Sequence, residues 1–145
     1  MTQSKIFWGR TAILTIAGGA AFWLSNFAIS RTPIAAEYRA AMSISYFPML
    51  LEALLGGLII AACVSYCLLR FFDKLPTKNA ILKSVMLSFI VLVFVTITIG
   101  GSSSYRATGD IPRYFLIGTT FNGIRFLALG LGIGYVYDKV NGGAG

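Results

Sequence analysis

Apolar residues along the chain fall into four long runs separated by short polar stretches. The runs cover about residues 11–29, 47–69, 84–101 and 114–137. Each is close to the roughly 20 residues that a helix needs to cross a bilayer. Inside lipid the backbone must pair within its own segment, which favours helix, and no alternating pattern of the barrel type is present. The pattern therefore predicts an all-α integral membrane protein, a four-helix transmembrane bundle.

Prolines and caps mark the ends of the predicted helices. Pro48 falls in the first turn of the second helix, where proline is tolerated. Pro76 lies in "FDKLPTKNA", a link short enough to predict a tight hairpin, and Pro112 precedes the fourth helix. Thr32 and Pro33 have the residue types of a helix N-cap and first helical position. They predict a short interfacial helix in the first outer loop.

These elements predict a single domain over residues 1–140, with residues 141–145 as a flexible tail. A cleaved signal peptide is the alternative for the first run, because Lys5 and Arg10 precede it and Ala28-Ile29-Ser30 resembles a cleavage site. The run of about 19 residues is longer than the roughly 7–15 typical of a signal peptide, which favours a retained helix.

The basic residues are distributed unequally between the two predicted sides of the membrane. One side has seven of them: Lys5, Arg10, Arg70, Lys74, Lys78, Lys83 and Lys139. The other has four, which are Arg31, Arg39, Arg106 and Arg113. Because cytoplasmic loops carry the excess of lysine and arginine, both termini are predicted to be cytoplasmic, in the plasma (inner) membrane.

Composition excludes several classes of protein. The chain is 57% hydrophobic and 12% charged, against about 25% charged in soluble domains, and its mean hydropathy is +0.78. The net charge of +7 does not indicate a nucleic-acid partner, because the cations stand at the ends of apolar runs rather than in one stripe. The lipid bilayer is the expected partner.

The sequence offers little for catalysis or for a cofactor. There is no histidine, so the usual zinc, haem and serine–histidine arrangements lack their ligands or base. Cys63 and Cys67 are four apart without a C-x-x-C spacing, which favours two apolar residues on one helix face over a redox pair. We expect no catalytic residue, no cofactor, no metal, and no enzymatic activity.

Two charged residues of opposite sign fall inside the predicted spans. Glu52 lies about 7–8 Å into the second helix and Arg125 about 16 Å into the fourth, both measured from the outer side. A charge in a span should face the bundle interior and find a partner. The two side chains differ in depth, so Asn122 and Asn26 are candidate bridges. We therefore predict a buried polar cluster of Glu52, Arg125, Asn122 and Asn26.

Small residues recur at helical spacing on two of the predicted helices. Ala53, Gly57 and Ala61 form one such stripe, and Gly130 and Gly134 form a G-x-x-x-G motif. Small residues let helices approach closely, within a chain or between chains. Packing within the chain is the favoured interpretation and dimerisation is the alternative.

Three functions are consistent with these features. The first is transport or permeation of a small solute or ion through a polar bundle interior, by an oligomer. The alternative is a non-enzymatic accessory or assembly subunit that binds a partner membrane subunit. A weaker one is a lipid-handling or membrane-embedded enzyme that uses residues of the outer surface, namely Glu37, Tyr38 and Arg39 near Arg106, Asp110 and Arg113. The chain is similar in size to small four-helix multidrug transporters, but its first helix lacks the acidic residue expected in them, so no residue is assigned from that resemblance.

Overall fold

The computed structural model of the protein describes residues 2–100 and 110–142, and within these residues it is all-helical. The helices are α1 (Thr2–Ser30), α2 (Pro33–Ala41), α3 (Tyr46–Phe71), α4 (Ala80–Val95) and α5 (Ile111–Gly142). A 3₁₀ turn, Phe72–Lys74, follows α3, and a π-helical segment, Thr96–Gly100, continues α4.

Four of these helices are long and apolar enough to cross a membrane, as the sequence predicted. They extend beyond the apolar runs: α1 begins at Thr2 and α5 continues through Asn141 and Gly142, which the sequence assigned to a tail. The apolar runs mark only the apolar part of each helix, and polar residues can continue the helix beyond it. Residue 101 and residues 143–145 lie outside the described residues.

The short helix predicted after Thr32 is present as α2. The Thr32 hydroxyl oxygen accepts a hydrogen bond from the Ala35 backbone N–H at 3.3 Å, and Pro33 occupies the first helical position. This is the N-cap arrangement that the sequence predicted. Ser43, in the turn that leads to α3, adopts a positive φ of 54°.

The long helices are arranged with α1 between α3 and α5. Helix α4 packs mainly against α5 and less against α3, so α3 and α5 lie diagonally opposite each other. Phe7 of α1 contacts Tyr66 of α3, and Phe72 stacks on Tyr137 of α5. The start of α1 and the end of α5 therefore lie at one end of the bundle, called here the terminal end. The opposite end is called the α2 end.

Glycines allow the helices to approach closely at each main crossing. A Cβ added to Gly57 of α3 would lie 2.7 Å from the Phe22 ring of α1, and one added to Gly18 of α1 would lie 2.6 Å from Ile133 of α5. Those added to Gly130 and Gly134 would lie 2.8 Å and 2.5 Å from backbone atoms of α4. The small residues predicted for packing therefore lie in contacts within the chain, and Ala53 is half-buried against the core.

An apolar core fills the middle of the bundle. Its most buried members come from all four long helices and are Leu14, Phe22, Ala61, Val64, Leu68, Leu92, Phe126, Leu129 and Ile133. Each is at most 8% exposed.

Candidate functional site

A pocket of about 240 Å³ opens at the α2 end, between α1, α2, α5 and the start of α3. We call it the α2 pocket. Its polar lining consists of Ser30, Tyr38, Arg39 and Arg125. Its apolar lining consists of Ile29, Ala35, Met42, Ile44, Met49 and Phe121. An apolar wall with a few converging polar groups is the usual composition of a small-molecule site.

Helix α2 forms one wall of the pocket because it is docked on α5 through Tyr38. The Tyr38 hydroxyl lies over Gly118, where an added Cβ would be only 2.7 Å away, and its ring makes an edge contact with Phe121 at 5.9 Å between centroids. Ala35, one turn earlier on α2, is 4% exposed. Glycine at position 118 thus leaves the space that Tyr38 occupies.

Tyr38 also reports the electrostatics of the pocket. Burial raises the pKa of the Tyr38 hydroxyl above its ordinary value, and the positive charge of Arg125 acts in the opposite direction. The hydroxyl is therefore protonated at neutral pH. It remains available as a hydrogen-bond donor to a molecule in the pocket.

Arg39 enters the pocket from α2 and joins that helix to the end of α1. Its Nη1 donates to the Ser30 carbonyl oxygen at 3.1 Å, and its guanidinium lies 4.9 Å from the centre of the Tyr46 ring. A cation at a helix C-terminus is favourable because the last carbonyls are unpaired. Among the described residues, this one hydrogen bond leaves most of the guanidinium donors without a partner.

Arg125 contributes a second guanidinium to the pocket from the middle of α5. Its Nη1 donates to the Asn122 side-chain oxygen at 3.1 Å. Its Nε is buried and has no hydrogen-bond partner among the described residues. A buried unpaired donor is costly, so Arg125 is a group with unmet hydrogen-bonding capacity beside a cavity.

The carboxylate of α2 points to a different set of groups, outside the pocket. Glu37 accepts from Arg113 Nη2 at 2.9 Å and from the Tyr114 hydroxyl at 3.4 Å. The two charged side chains are 42% and 55% exposed. None of the five carboxylates of the chain lines the α2 pocket. Its two arginines therefore have no acidic counterpart in the lining.

The structure brings together only part of the predicted polar cluster. Arg125 and Asn122 are hydrogen-bonded, and Asn26 is buried at 1% exposure with its amide nitrogen unpaired among the described residues. Glu52 differs from the expectation, because it is exposed on the outside of the single chain and forms no hydrogen bond or ion pair with any described residue. The expected pairing of Glu52 with Arg125 is absent from the described contacts.

The position of Glu52 has a packing reason. Helix α3 turns its small residues Gly57 and Ala61 towards α1, and both are buried. Glu52 precedes Ala53 in the chain, so its side chain points about 100° around the helix axis from the stripe of Ala53, Gly57 and Ala61. Close approach of α1 and α3 therefore directs the carboxylate outwards. The diagonal placement of α3 and α5 further separates it from Arg125.

The sequence reasoning missed one buried cation at the terminal end. Lys83 was assigned to a cytoplasmic loop edge, but it is 4% exposed. Its Nζ donates to the Phe72 carbonyl oxygen and lies 3.5 Å from the centre of the Phe72 ring, which stacks on Tyr137. The signal in the sequence was the aromatic residue Phe72, directly after α3, because the face of an aromatic ring can bind a cation.

The described residues contain no group of three or more side chains suited to hold a metal ion. Cys63 is exposed and Cys67 is half-buried, and both are free thiols. No protein-family model matches the chain, and no curated protein or solved structure matches it.

Proposed function

We propose that this is an integral protein of the plasma (inner) membrane, with both termini cytoplasmic, that moves a small solute or ion across the bilayer. The α2 pocket would then face the outside and receive the solute. One observation carries the proposal: Arg125 combines a position within a candidate span with an unpaired donor beside a cavity. A charge in a span is costly, and such residues mark pathways by default.

The apolar core bears on how such a solute would pass. Phe22, Phe126 and Leu129 close the centre of the single bundle below the pocket. Passage would require either a rearrangement of the helices or a path between copies of the chain. An oligomer therefore belongs to the proposal, and Glu52 on the outer face of α3 is a residue for contact with another copy.

A shrink–swell assay on reconstituted vesicles tests transport across several classes of solute. Vesicles are mixed with iso-osmolar salts of small organic acids, salts of amines, or neutral solutes, and light scattering follows their reswelling. The protein should accelerate reswelling for at least one class, and Arg125→Gln should abolish the acceleration. Arg70→Gln is the matched control, because Arg70 is an exposed arginine of α3 at the terminal end and does not line the pocket.

Two results would reject the transport proposal. One is the absence of acceleration for every class of solute. The other is a folded, monodisperse Arg125→Gln protein that behaves like the Arg70→Gln control.

The second candidate function is an accessory or assembly subunit, and Glu52 is the observation that favours it. A carboxylate on the outward face of a candidate span has no compensating group among the described residues. A cation on a partner helix would supply one. Native mass spectrometry of the protein, extracted gently from its own membrane, distinguishes the two candidates. A stoichiometric foreign chain that Glu52→Gln releases supports the accessory role, and a homo-oligomer counts against it.

A further inference from the structure

The α2 pocket has a definite charge as well as a definite shape. Two guanidinium groups, those of Arg39 and Arg125, line it, and no carboxylate does. The nearest acid on α2, Glu37, is already engaged by Arg113 at 2.9 Å. The pocket therefore concentrates positive charge in an apolar, partly buried space, where electrostatic attraction is stronger than in water.

The hydrogen-bonding groups of the pocket are predominantly donors. Arginine has five N–H donors and no acceptor, and each of the two arginines makes one hydrogen bond among those found in the described residues. The Tyr38 hydroxyl adds a protonated donor. The complementary group on a ligand is one with several acceptor oxygens and a negative charge, which describes a carboxylate or a phosphate.

The rest of the lining is apolar and indicates that the remaining part of the ligand is apolar too. Ile29, Met42 and Met49 present aliphatic and thioether surfaces, and Phe121 presents an aromatic one. Methionine adapts to ligands of irregular shape. A volume of about 240 Å³ is below the roughly 300–1,000 Å³ of pockets for drug-sized molecules, so the bound part is small.

We propose that the α2 pocket binds an anionic amphiphile, with its carboxylate or phosphate on Arg125 and Arg39 and its short apolar part against Phe121 and the methionines. This inference deepens the proposed function, on which it rests, by naming the class of solute. The same chemistry has two sources: a soluble short-chain acid, or the head group of an anionic membrane lipid whose first methylenes enter the pocket.

The test measures binding rather than flux, so its failure is distinguishable from failure of transport. The full chain is placed in phosphatidylcholine nanodiscs, and binding of radiolabelled hexanoate is measured by equilibrium dialysis against empty nanodiscs. Unlabelled hexanoate should displace the label, while hexanamide, a neutral molecule of matched size, should not. Arg125→Gln should weaken binding about tenfold or more, the effect of losing a hydrogen bond to a charged group.

Further variants protect the test against loss of folding. Arg39→Gln changes the other guanidinium and should also weaken binding, while Arg125→Lys keeps the charge and should retain part of it. Arg70→Gln, which changes an exposed arginine at the terminal end of the bundle, should bind like the wild type. Each protein is first checked for helix content and for a single species by size exclusion.

A second arm identifies the lipid source. The protein is reconstituted with equal amounts of phosphatidylglycerol and phosphatidylcholine, and native mass spectrometry detects the lipid that remains bound. Phosphatidylglycerol retained by the wild type but not by Arg125→Gln, with no displaceable hexanoate, supports the proposal with a lipid as ligand. Displaceable hexanoate supports it with a soluble acid. Binding that is equal for hexanoate and hexanamide, or unchanged in both Arg125→Gln and Arg39→Gln, overturns it, as does the absence of binding in both arms.

Discussion

Replacing Gly134 with alanine should weaken the contact between α4 and α5. The new Cβ would lie 2.5 Å from the Ile81 Cα, whereas ordinary contacts of a Cβ begin at 3.4 Å. The two helices would have to separate by about 0.9 Å, the difference between these distances. Because the obstacle is backbone, rotation of a side chain cannot relieve it. Overpacking of this kind costs about 1–3 kcal/mol.

Gly123 in the same helix provides the matched control, since a Cβ added there meets nothing within 4 Å. Both substitutions raise helix propensity, by about 0.5–1 kcal/mol each. The difference between the two variants therefore isolates the packing cost. We expect Gly123→Ala to be at least as stable as the wild type and Gly134→Ala to be about 1–3 kcal/mol less stable than Gly123→Ala.

The assay is reversible unfolding in mixed micelles, in which sodium dodecyl sulfate is titrated against a mild detergent and helix content is followed by circular dichroism. Association of helices in lipid depends on van der Waals packing rather than on the hydrophobic effect. The separation of α4 from α5 in Gly134→Ala should therefore lower the fraction of sodium dodecyl sulfate at which half of the protein is unfolded. Equal midpoints for Gly134→Ala and Gly123→Ala would refute the close approach of α4 and α5.

The same titration tests two charged residues. Lys83→Met should lower the free energy of unfolding by about 1–3 kcal/mol, because it removes the donor to the Phe72 carbonyl. The control Lys78→Met, in the exposed link, should change it by less than about 0.5 kcal/mol. Equal effects would contradict the buried position of Lys83. Glu37→Gln should cost less than about 1 kcal/mol, since the ion pair with Arg113 is exposed, and a larger loss would contradict that. The raised pKa of Tyr38 favours the folded state while the hydroxyl is protonated, so this stabilisation should hold below pH 10 and decline as the pH rises through the folded pKa. In a pH titration followed by absorbance at 295 nm, Tyr38→Phe should remove the signal of a tyrosine that ionises above pH 10. If the substitution instead removes an ionisation below pH 10, the burial of Tyr38 is contradicted.

Much of the architecture could be predicted from the sequence because lipid imposes strong rules on it. A run of about 20 apolar residues has few solutions other than a helix. The cap at Thr32 and Pro33 was equally local, since it depends on two adjacent residues and their nearest backbone groups. The ends of α1 and α5 were less predictable, because polar helical turns look the same as polar loops in an apolarity pattern.

The candidate site depended on facts that are not local. The sequence offered two stripes on α3, one with Glu52 and one with Ala53, Gly57 and Ala61, and polarity alone favoured the first for the interior. Packing decided otherwise, because Gly57 of α3 admits the Phe22 ring of α1, and Gly19 of α1 admits the Leu58 side chain of α3. The α2 pocket was also beyond the sequence, since it depends on how Tyr38 docks over Gly118.

The position of α1 between α3 and α5 has a consequence for biosynthesis. Its Phe22 ring contacts Phe126 of α5 at 5.7 Å between centroids, and its Gly18 faces Ile133. At roughly 5–20 residues per second, synthesis from Ser30 to Gly142 takes about 6–22 s, and α3 becomes available to α1 before α5 does. Helix α5, which is synthesised after α1, α3 and α4, thus completes the environment of α1.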